Sequence, residues 1–231
     1  MKAIVLAGGL GTRLRERVPT LPKPMAPVAG RAFLEYVFDR LVTGGITEII
    51  LSVGYRADSI HEHFGDHYKQ TPVKYVLEDE PLGTGGAILH ALSTAGDDPV
   101  LVLNGDTLLN LNYLKFIQWY RAASPVMCAM VLRHVPDIAR YGSVMLSGNR
   151  VSGFVEKGTI GSGLINAGVY IIEPKIFKLL NLIGKFSFEA DVLQRHCGRL
   201  SPIAYISDAY FIDIGIPEDY DRAQRELPFV V

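Results

Sequence analysis

Short runs of apolar, β-branched residues alternate with segments of helical periodicity through the first half of the chain. The first and fourth runs, Lys2–Ala7 and Val100–Leu103, are almost entirely apolar, which is typical of strands covered on both faces in a parallel sheet. In the segment 32–43 apolar residues recur every four positions and the pattern stops at Gly44, which predicts a helix with a glycine C-cap. This alternation predicts an α/β fold with right-handed crossovers.

The second half is less regular, because four predicted strands follow one another with few helices between them. Turns containing Gly, Ser and Asn separate these strands, which predicts extra, antiparallel strands beside the main sheet. The strands predicted along the chain are Lys2–Ala7, Glu48–Val53, Val73–Leu77, Val100–Leu103, Val126–Leu132, Ser143–Leu146, Val151–Val155, Ala167–Ile172, 203–206 and 210–213. The predicted helices are 32–43, 57–68, 85–94, 111–122, 174–181, 187–196 and one that begins at Pro217. No linker or internal repeat divides them, so we expect one domain, 1–231, with an accessory lobe.

Composition places the chain among globular proteins with a sizeable core. A chain of 231 residues buries about 70% of its unfolded surface without a disulfide or a metal. Its 23 basic and 24 acidic side chains argue against a nucleic-acid binder that relies on a basic face. Cys128 and Cys197 lack metal-ligand spacing, which predicts reduced, buried thiols. The first apolar run, Ala3–Ala7, is too short for a signal peptide or a membrane span, so we expect a cytoplasmic protein that does not enter a membrane.

The strongest chemical signal is a glycine-rich loop directly after the first strand, Leu6-Ala7-Gly8-Gly9-Leu10-Gly11-Thr12-Arg13-Leu14. Glycines let a backbone approach a ligand closely, and successive N–H groups can bind an anion. Arg13 adds a planar cation suited to phosphate oxygens. The loop lacks the Gly-Lys-Ser/Thr of a Walker A loop and the third glycine of a dinucleotide fingerprint. Taken alone it could be a structural turn, but its combination with Arg13 and Lys23 favours phosphate binding.

Lys23 lies between two prolines, in Pro22-Lys23-Pro24. The two rings stiffen the backbone on either side of the lysine. In isolation such a residue is typical of a solvated loop. Beside the glycine-rich loop, it is interpreted as a lysine held in place to meet phosphate charge.

Two aspartates, Asp106 and Asp213, come directly after or at the end of predicted strands. A carboxylate at the carboxyl end of a parallel strand faces the ligand crevice, and carboxylate oxygens suit Mg²⁺. Because the two residues are far apart in sequence, only the fold can bring them together. Each alone is also typical of a turn or of a helix cap.

Three later segments carry weaker signals. Gly83-Thr84-Gly85-Gly86 opens a predicted helix and offers N–H groups to an anionic or flat ligand. Glu156-Lys157 ends a strand, where an exposed ion pair is the ordinary interpretation. Asn166-Ala167-Gly168 places an amide that could bind hydroxyl groups. His63 and His67 have no third ligand at matching spacing, and no Gly-x-Ser-x-Gly segment occurs, so zinc and a serine hydrolase find no support.

Together, in this order, these segments and Asp213-Ile214-Gly215 resemble the sugar-1-phosphate nucleotidyltransferases. The resemblance implies an α/β, Rossmann-like fold with a mixed, mainly parallel sheet flanked by helices and a small antiparallel accessory lobe for the sugar. It implies that residues 1–110 mainly bind the nucleotide, that 126–200 mainly bind the sugar, and that the C-terminal β-helix of longer members is absent. It further implies Mg²⁺, a nucleoside triphosphate and a sugar 1-phosphate as cofactor and substrates, with pyrophosphate as the leaving group. Members of this family often form homodimers.

The same resemblance assigns roles by position. Catalytic roles fall on Arg13 and Lys23, and Mg²⁺ ligation falls on Asp106 and Asp213. Gly158 departs from the pattern, because many members have proline there. The residues implied in nucleotide binding are Leu6, Ala7, Gly8, Gly9, Gly11, Thr12, Arg13, Lys23, Gly83, Thr84 and Asp106. The residues implied in sugar-phosphate binding are Gly142, Glu156, Lys157, Asn166 and Gly168.

The segments 24–27 and 82–87 are similar to those of the short-form guanylyltransferases that act on D-glycero-α-D-manno-heptose 1-phosphate. This implies GTP and that heptose phosphate as substrates. GTP with mannose 1-phosphate and UTP with N-acetylmuramate 1-phosphate stay open, because backbone groups read much of the base. A non-catalytic nucleotide-sugar sensor is the alternative of another class. Such a sensor could dispense with Arg13, Lys23 or Asp106, and all three are present.

Overall fold

The computed structural model describes residues 1–9, 11, 14, 17–123 and 125–230. A 3₁₀ turn covers Lys23–Met25, and a π-helix covers Phe188–Gln194. The strands are β1 (Ala3–Leu6), β2 (Pro27–Val28), β3 (Arg31–Ala32), β4 (Ile49–Val53), β5 (His67–Tyr68), β6 (Thr71–Leu77), β7 (Val100–Asn104), β8 (Thr107–Leu109), β9 (Cys128–Val135), β10 (Ser143–Ser147), β11 (Arg150–Val155), β12 (Gly163–Ile172), β13 (Ile203–Ile206) and β14 (Phe211–Asp213). The helices are α1 (Phe33–Thr43), α2 (Ala57–Phe64), α3 (Gly83–Ala95), α4 (Tyr113–Ala122), α5 (Lys175–Leu180), α6 (Cys197–Leu200) and α7 (Pro217–Val230).

One ten-stranded sheet organises the molecule, with the strand order β10-β11-β13-β9-β12-β7-β1-β4-β6-β5. Strands β7, β1, β4 and β6 are parallel neighbours. Beyond β7 the pairing turns mostly antiparallel, and β13 returns parallel to β9. The predicted α/β class with a mixed sheet is therefore confirmed, and the strands of the accessory lobe extend the same sheet.

Period-two alternation explains why the central strands are apolar throughout. In β1, Ala3 and Val5 face one hydrophobic cluster and Ile4 faces the other. All three side chains are fully buried. A strand covered on both faces needs apolar residues at successive positions, which is the pattern that predicted the parallel sheet.

The two hydrophobic clusters correspond to two layers of helices. Helices α1, α2, α4 and α7 contribute buried residues to one cluster. Helix α3, the π-helix and helices α5 and α6 contribute to the other. The sheet is thus sandwiched between helices, which leaves its strand ends as the place where a ligand can reach the backbone.

Two predicted helices differ from the structure. The helix predicted over 57–68 ends at Phe64, because Gly65 adopts a φ of +58°. The chain then pairs His67–Tyr68 with β6 as an edge strand. The helix predicted over 187–196 is the π-helix Phe188–Gln194, a distinction that a 3.6-residue hydrophobic period does not resolve.

Both cysteines are buried free thiols, as the sequence predicts. Burial raises the pKa of Cys128 to about 12. No helix in the described part of the chain is long and apolar enough to cross a membrane.

Gly86 is a packing constraint on α3. A Cβ added there would lie 2.5 Å from the carbonyl oxygen of Gly184 and 2.9 Å from the Cβ of Leu82, and a backbone carbonyl cannot swing aside. We expect Gly86→Ala to lower the free energy of unfolding by about 1–3 kcal/mol in denaturant titrations. The control is Gly198→Ala in α6, where nothing lies within 4 Å of the added carbon. Equal effects of the two substitutions would contradict this packing argument.

Candidate active site

A cleft of about 420 Å³ opens where the parallel strands end. The segment after β1, the start of α3 and the residues after β6 and β7 all contribute to its walls. Because β1, β4, β6 and β7 run in the same direction, their carboxyl ends meet at this edge. This is the position at which open α/β sheets bind ligands.

The described part of the glycine-rich loop, 6–9 and Gly11, forms one wall of the cleft. A Cβ at Gly8 would lie 2.6 Å from Glu78 Oε1, and one at Gly11, whose φ is +56°, would lie 2.8 Å from the Cβ of Lys23. Only glycine allows the loop to pass this close to both side chains. The predicted nucleotide-binding residues found in this wall are Leu6, Ala7, Gly8, Gly9 and Gly11. Leu10, Thr12 and Arg13 lie outside the described residues, so the roles assigned to Thr12 and Arg13 stay predictions.

Lys23 lines the cleft and is only 12% exposed. Its ammonium lies 2.5 Å from Asp106 Oδ2 and 3.5 Å from Asp213 Oδ1. The structure therefore brings together the lysine and both predicted metal ligands. A lysine shared by two carboxylates differs from the solvated loop lysine that was the alternative.

A two-stranded sheet accounts for the convergence of the aspartates. Strand β14 pairs antiparallel with β8, so that Asp213 lies opposite Thr107, the residue after Asp106. The N–H of Gly215 donates to Asp213 Oδ1 at 2.8 Å, and the N–H of Ile214 donates to the carbonyl of Asp106 at 3.1 Å. These contacts fix the second carboxylate against the first.

The negative charges of Asp106 and Asp213 oppose each other. Burial raises the pKa of Asp213, and the negative charge of Asp106 raises it further. The Lys23 ammonium opposes both effects. Two carboxylates this close require a cation, and in this arrangement Lys23 provides it.

The same two carboxylates fit a hard divalent cation. Mg²⁺ in proteins commonly takes one or two carboxylates and completes its shell with water and substrate phosphates. Across the described residues, no group of three or more His, Cys, Asp or Glu side chains could hold a metal ion. A metal held by Asp106 and Asp213 would therefore depend on water and substrate for its other ligands.

The start of α3 forms the facing wall, with Gly83 and Thr84 in the cleft. Gly83 has a φ of +71°, and a Cβ there would lie 2.6 Å from the carbonyl oxygen of Phe186. The N–H of Gly85 donates to that oxygen at 3.0 Å. The glycines therefore dock the start of the helix on the segment that precedes the π-helix.

Strand β12 carries two of the predicted sugar-binding residues, Asn166 and Gly168, neither of which lines the cleft itself. Gly168, with a φ of +69°, lies so close to Asn104 that a Cβ would be 2.7 Å from its Nδ2. Asn104 itself lines the cleft. The amide oxygen of Asn166 accepts a hydrogen bond from the N–H of Gly168 at 3.0 Å, which ties the Asn166 side chain to the backbone that packs against Asn104.

The other sugar-side candidates form a separate turn. A Cβ at Gly142 would lie 2.6 Å from the carbonyl oxygen of Val155, and Gly142 also packs on the backbone of Glu156 and Lys157. Glu156 and Lys157 are exposed and do not line the 420 Å³ cleft. Gly158 has a φ of +99°, which proline cannot adopt, so a proline at this position would require a different turn.

Sequence reasoning missed Glu78, whose carboxylate lines the cleft against Gly8. Its Oε1 accepts from the Ser52 hydroxyl at 2.8 Å, and its Oε2 accepts from the N–H of Leu82 at 3.2 Å. Glu78 comes directly after β6. The rule that identified Asp106 as the end of a parallel strand would also have identified Glu78.

These features define an α/β protein with a ligand cleft at the carboxyl edge of parallel strands. The family model described as nucleotidyl transferase matches residues 2–228. The chain belongs to the nucleotidyl transferase family, and the resemblance inferred from its motifs is confirmed.

Individual relatives match over nearly their whole length. The chain is 44% identical over 227 residues to D-glycero-alpha-D-manno-heptose 1-phosphate guanylyltransferase of Aneurinibacillus thermoaerophilus, covering 98% of each chain. It is 42% identical to the Campylobacter jejuni protein of that name, covering 95% of this chain and 97% of the relative. The crystal structure of HddC from Yersinia pseudotuberculosis complexed with GMP-PN matches with a TM-score of 0.84 at 39% identity, covering 98% of this chain and 99% of that one.

The raised pKa of Asp213 predicts that this carboxylate destabilises the fold. The penalty is present where Asp213 is ionised and is lost as pH falls through its raised pKa toward the ordinary value of aspartate. We expect Asp213→Asn, in which the amide oxygen can still accept from Gly215, to raise the ligand-free Tm by about 2 °C at pH 8. The difference from wild type should shrink in thermal scans at decreasing pH. A lower Tm for the variant at pH 8 would contradict the prediction.

Proposed function

We propose that the protein catalyses the reaction of GTP with D-glycero-α-D-manno-heptose 1-phosphate to give GDP-heptose and pyrophosphate. The observation that carries the reaction class is the Lys23 ammonium shared by Asp106 and Asp213 in the cleft. The choice of substrates is supported by the two heptose 1-phosphate guanylyltransferases that match along almost their full length. The Yersinia pseudotuberculosis relative, a complex with GMP-PN, supports a guanine nucleotide.

The chemistry agrees with the residues in the cleft. A sugar phosphate is already an anionic nucleophile, so its attack on the α-phosphorus needs neither a general base nor a covalent enzyme intermediate. A sugar-phosphate oxygen forms a bond to the α-phosphorus. The bond between the α-phosphorus and the oxygen that bridges to the β-phosphate breaks, and pyrophosphate leaves with the electrons of that bond. The barrier lies in alignment and in repulsion between two anions. We assign the opposing charge to Lys23, Arg13 and Lys157.

We assign the two carboxylates of the cleft to a divalent cation, Mg²⁺. When bound, such an ion neutralises triphosphate charge and orients the reacting groups. Asp106 and Asp213 would hold it, and the Lys23 ammonium would then pair with phosphate oxygens. Lys23 thus stabilises the carboxylates without a ligand and stabilises the phosphates with one.

The two halves of the chain would divide the substrates between them. In this proposal residues 1–110 bind the nucleotide along the glycine-rich loop and the start of α3. Residues 126–200 bind the sugar phosphate, with Asn166 and Gly168 on β12 and Gly142, Glu156 and Lys157 in a separate turn. Because GTP is a cytoplasmic substrate, we place the reaction in the cytoplasm.

We assign recognition of the base to Glu78, which lines the cleft against Gly8 of the glycine-rich loop and has acceptors that suit guanine. Guanine presents two adjacent donors, N1–H and N2–H₂, and a carboxylate is an acceptor at both of its oxygens. Each Glu78 oxygen accepts one hydrogen bond within the protein and retains a further lone pair. Uracil presents a donor beside acceptors, which a carboxylate matches at one position only.

The alternatives make different demands on the same site. Mannose 1-phosphate with GTP would leave the role of Glu78 intact and change only the sugar side. N-acetylmuramate 1-phosphate with UTP conflicts with a carboxylate at the base position. A nucleotide-sugar sensor would not need two carboxylates held together at a cost in stability.

The direct test is pyrophosphate release with Mg²⁺, crossing the four common nucleoside triphosphates with the heptose, mannose, glucose and N-acetylmuramate 1-phosphates. Release confined to GTP with the heptose phosphate is expected. Release with another pair would contradict the proposed substrates and leave the reaction class standing. No release with any pair would contradict the reaction class.

Lys23→Ala removes the shared cation from the cleft. We expect it to lower kcat by about 100-fold or more, because a charge that opposes repulsion between the substrates is lost. Steady-state pyrophosphate release checks this, with Lys185→Ala, which removes an exposed lysine, as the matched control. Equal kcat values for Lys23→Ala and wild type would contradict the mechanism.

Glu78→Gln tests whether the Glu78 carboxylate recognises the base. A glutamine can accept from Leu82 and donate to Ser52, so its fold contacts survive, but it offers the base one acceptor and one donor. We expect kcat/KM for GTP to fall by about 10-fold to 100-fold and the ratio of UTP to GTP turnover to rise. Glu80→Gln, at an exposed neighbour, is the control. An unchanged preference in Glu78→Gln would exclude this carboxylate from base recognition.

A further inference from the structure

One carboxylate outside the residues discussed so far joins the two sides of the cleft. Glu189 Oε2 accepts from the hydroxyl of Thr84 at 2.6 Å and from that of Ser187 at 3.2 Å. Its Oε1 accepts from the hydroxyl of Tyr170 at 3.2 Å. Thr84 lies at the start of α3 on the nucleotide side, whereas Tyr170 lies on β12 on the sugar side.

The backbone around Glu189 is specialised for this placement. Glu189 lies in the first turn of the π-helix, where the Ser187 hydroxyl accepts from the N–H of Ala190 at 3.2 Å. The N–H of Phe188 donates to the Thr84 hydroxyl oxygen at 2.9 Å. Thr84 and the π-helix are thus joined in both directions. Single turns of π-helix are frequent at functional sites.

Tyr170 links Glu189 to Asn166 through its hydroxyl group. Its hydroxyl oxygen accepts from Asn166 Nδ2 at 2.6 Å while its proton points to Glu189. Burial, together with the negative charge of Glu189, raises the pKa of Tyr170 well above the ordinary value, so the hydroxyl keeps its proton and remains a donor. Because Tyr170 donates to Glu189, it must accept from Asn166, which fixes the direction of the amide.

The fixed amide has one donor and one acceptor left for a ligand. Asn166 Oδ1 accepts from the N–H of Gly168 and retains a second lone pair. Its Nδ2 uses one hydrogen on Tyr170 and retains another. A sugar hydroxyl both donates and accepts, so an amide in a single orientation can recognise it at both atoms.

The charge on Glu189 is not needed for an ion pair. Among the described residues, none forms a salt bridge with it, and its partners are neutral hydroxyl groups. A partly buried carboxylate held only by neutral donors costs desolvation energy. This cost argues for a role beyond packing.

We propose that Glu189 is a positioning residue for the sugar 1-phosphate, which acts through Tyr170 to fix the Asn166 amide and through Thr84 to hold that amide relative to the nucleotide wall. This inference rests on the proposed function. It predicts that loss of the Glu189–Tyr170–Asn166 hydrogen-bond relay weakens binding of the sugar phosphate far more than binding of the nucleotide. The nucleotide wall is held independently, because the N–H groups of Gly85 and Phe186 keep their own backbone partners.

The test compares Glu189→Ala, Tyr170→Phe and the double variant with wild type. We expect each single variant to raise KM for the sugar 1-phosphate about fivefold to tenfold and to change KM for GTP less than about twofold. The double variant should be no worse than the more affected single variant, because both break the same relay. Glu189→Gln retains an acceptor for Tyr170 and should stay within about threefold of wild type.

A control exists at Tyr120, whose hydroxyl lies 3.0 Å from the carbonyl oxygen of Val126 and 3.2 Å from Glu173 Oε1 and can donate its proton to either. Glu173 directly follows β12. Tyr120→Phe should leave both KM values unchanged. If Glu189→Ala fails to fold, Tyr170→Phe and Glu189→Gln still test the relay, since Tyr170→Phe keeps the ring that packs against Phe188.

The two proposals fail in different measurements. The variants are assayed with whichever sugar 1-phosphate wild type uses, so a sugar other than the heptose contradicts the proposed substrates while the ratio of KM values still tests Glu189. A change in Tm alone, equal increases in both KM values, or additive effects in the double variant would overturn the positioning role. Absence of turnover with every sugar would overturn both proposals.

Discussion

The site is organised around one ammonium group that two carboxylates share. Asp106 and Asp213 come from distant parts of the chain and repel each other, and Lys23 lies within hydrogen-bond or ion-pair distance of both. The pairing of β8 with β14 and the hydrogen bonds around Gly215 hold them in place. The fold therefore maintains a concentration of charge that it would lose if any of these three side chains moved away. The loops around the cleft are arranged around this point.

The loops around the cleft approach the neighbouring side chains closely through the backbone of their glycines. Gly8 lies against Glu78, Gly11 against Lys23, and Gly168 against Asn104, each too close for a Cβ. These contacts bring the backbone at each glycine directly against Glu78, Lys23 or Asn104, with no glycine side chain between them. Successive backbone N–H groups in such loops can bind the oxygens of a polyphosphate. The glycine content of the motifs thus has a packing cause as well as a binding one.

Much of the fold could be predicted from the sequence, because both faces of the central strands are covered and their apolar runs are continuous. The glycine-rich loop, Lys23 and Asp106 could be identified for a related reason, since each lies near the start of the chain or directly after a recognisable strand. The meeting of Asp213 with Asp106 was implied only by the family resemblance and not by the local pattern, because it depends on the short β8–β14 pairing.

Glu78 and Glu189 escaped for different reasons. Glu78 follows β6 directly, so its place at a strand end could have identified it, but it stands in an acidic run, Glu78-Asp79-Glu80, that is equally typical of a solvated turn. The role of Glu189 depends on a π-helix and on hydrogen bonds to two distant residues. Thr84 is 105 positions away and Tyr170 is 19 positions away. Local periodicity carries information about which face of an element is buried, but not about which distant hydroxyl group it will meet.

The distribution of charge also bears on what kind of protein this is. A binding module gains affinity from neutral hydrogen bonds and backbone contacts, and a partly exposed pair of like charges, such as Asp106 and Asp213, does not improve that recognition. Here the neutral groups of Asn166, Thr84 and Tyr170 are linked through Glu189, whereas the opposed charges of Lys23, Asp106 and Asp213 lie together. That separation suits a site in which recognition belongs to the walls and charge compensation belongs to the reacting phosphates. A site built for retention alone gains nothing from Asp213 beside Asp106, whereas a site that holds a polyphosphate through a divalent cation can use both carboxylates.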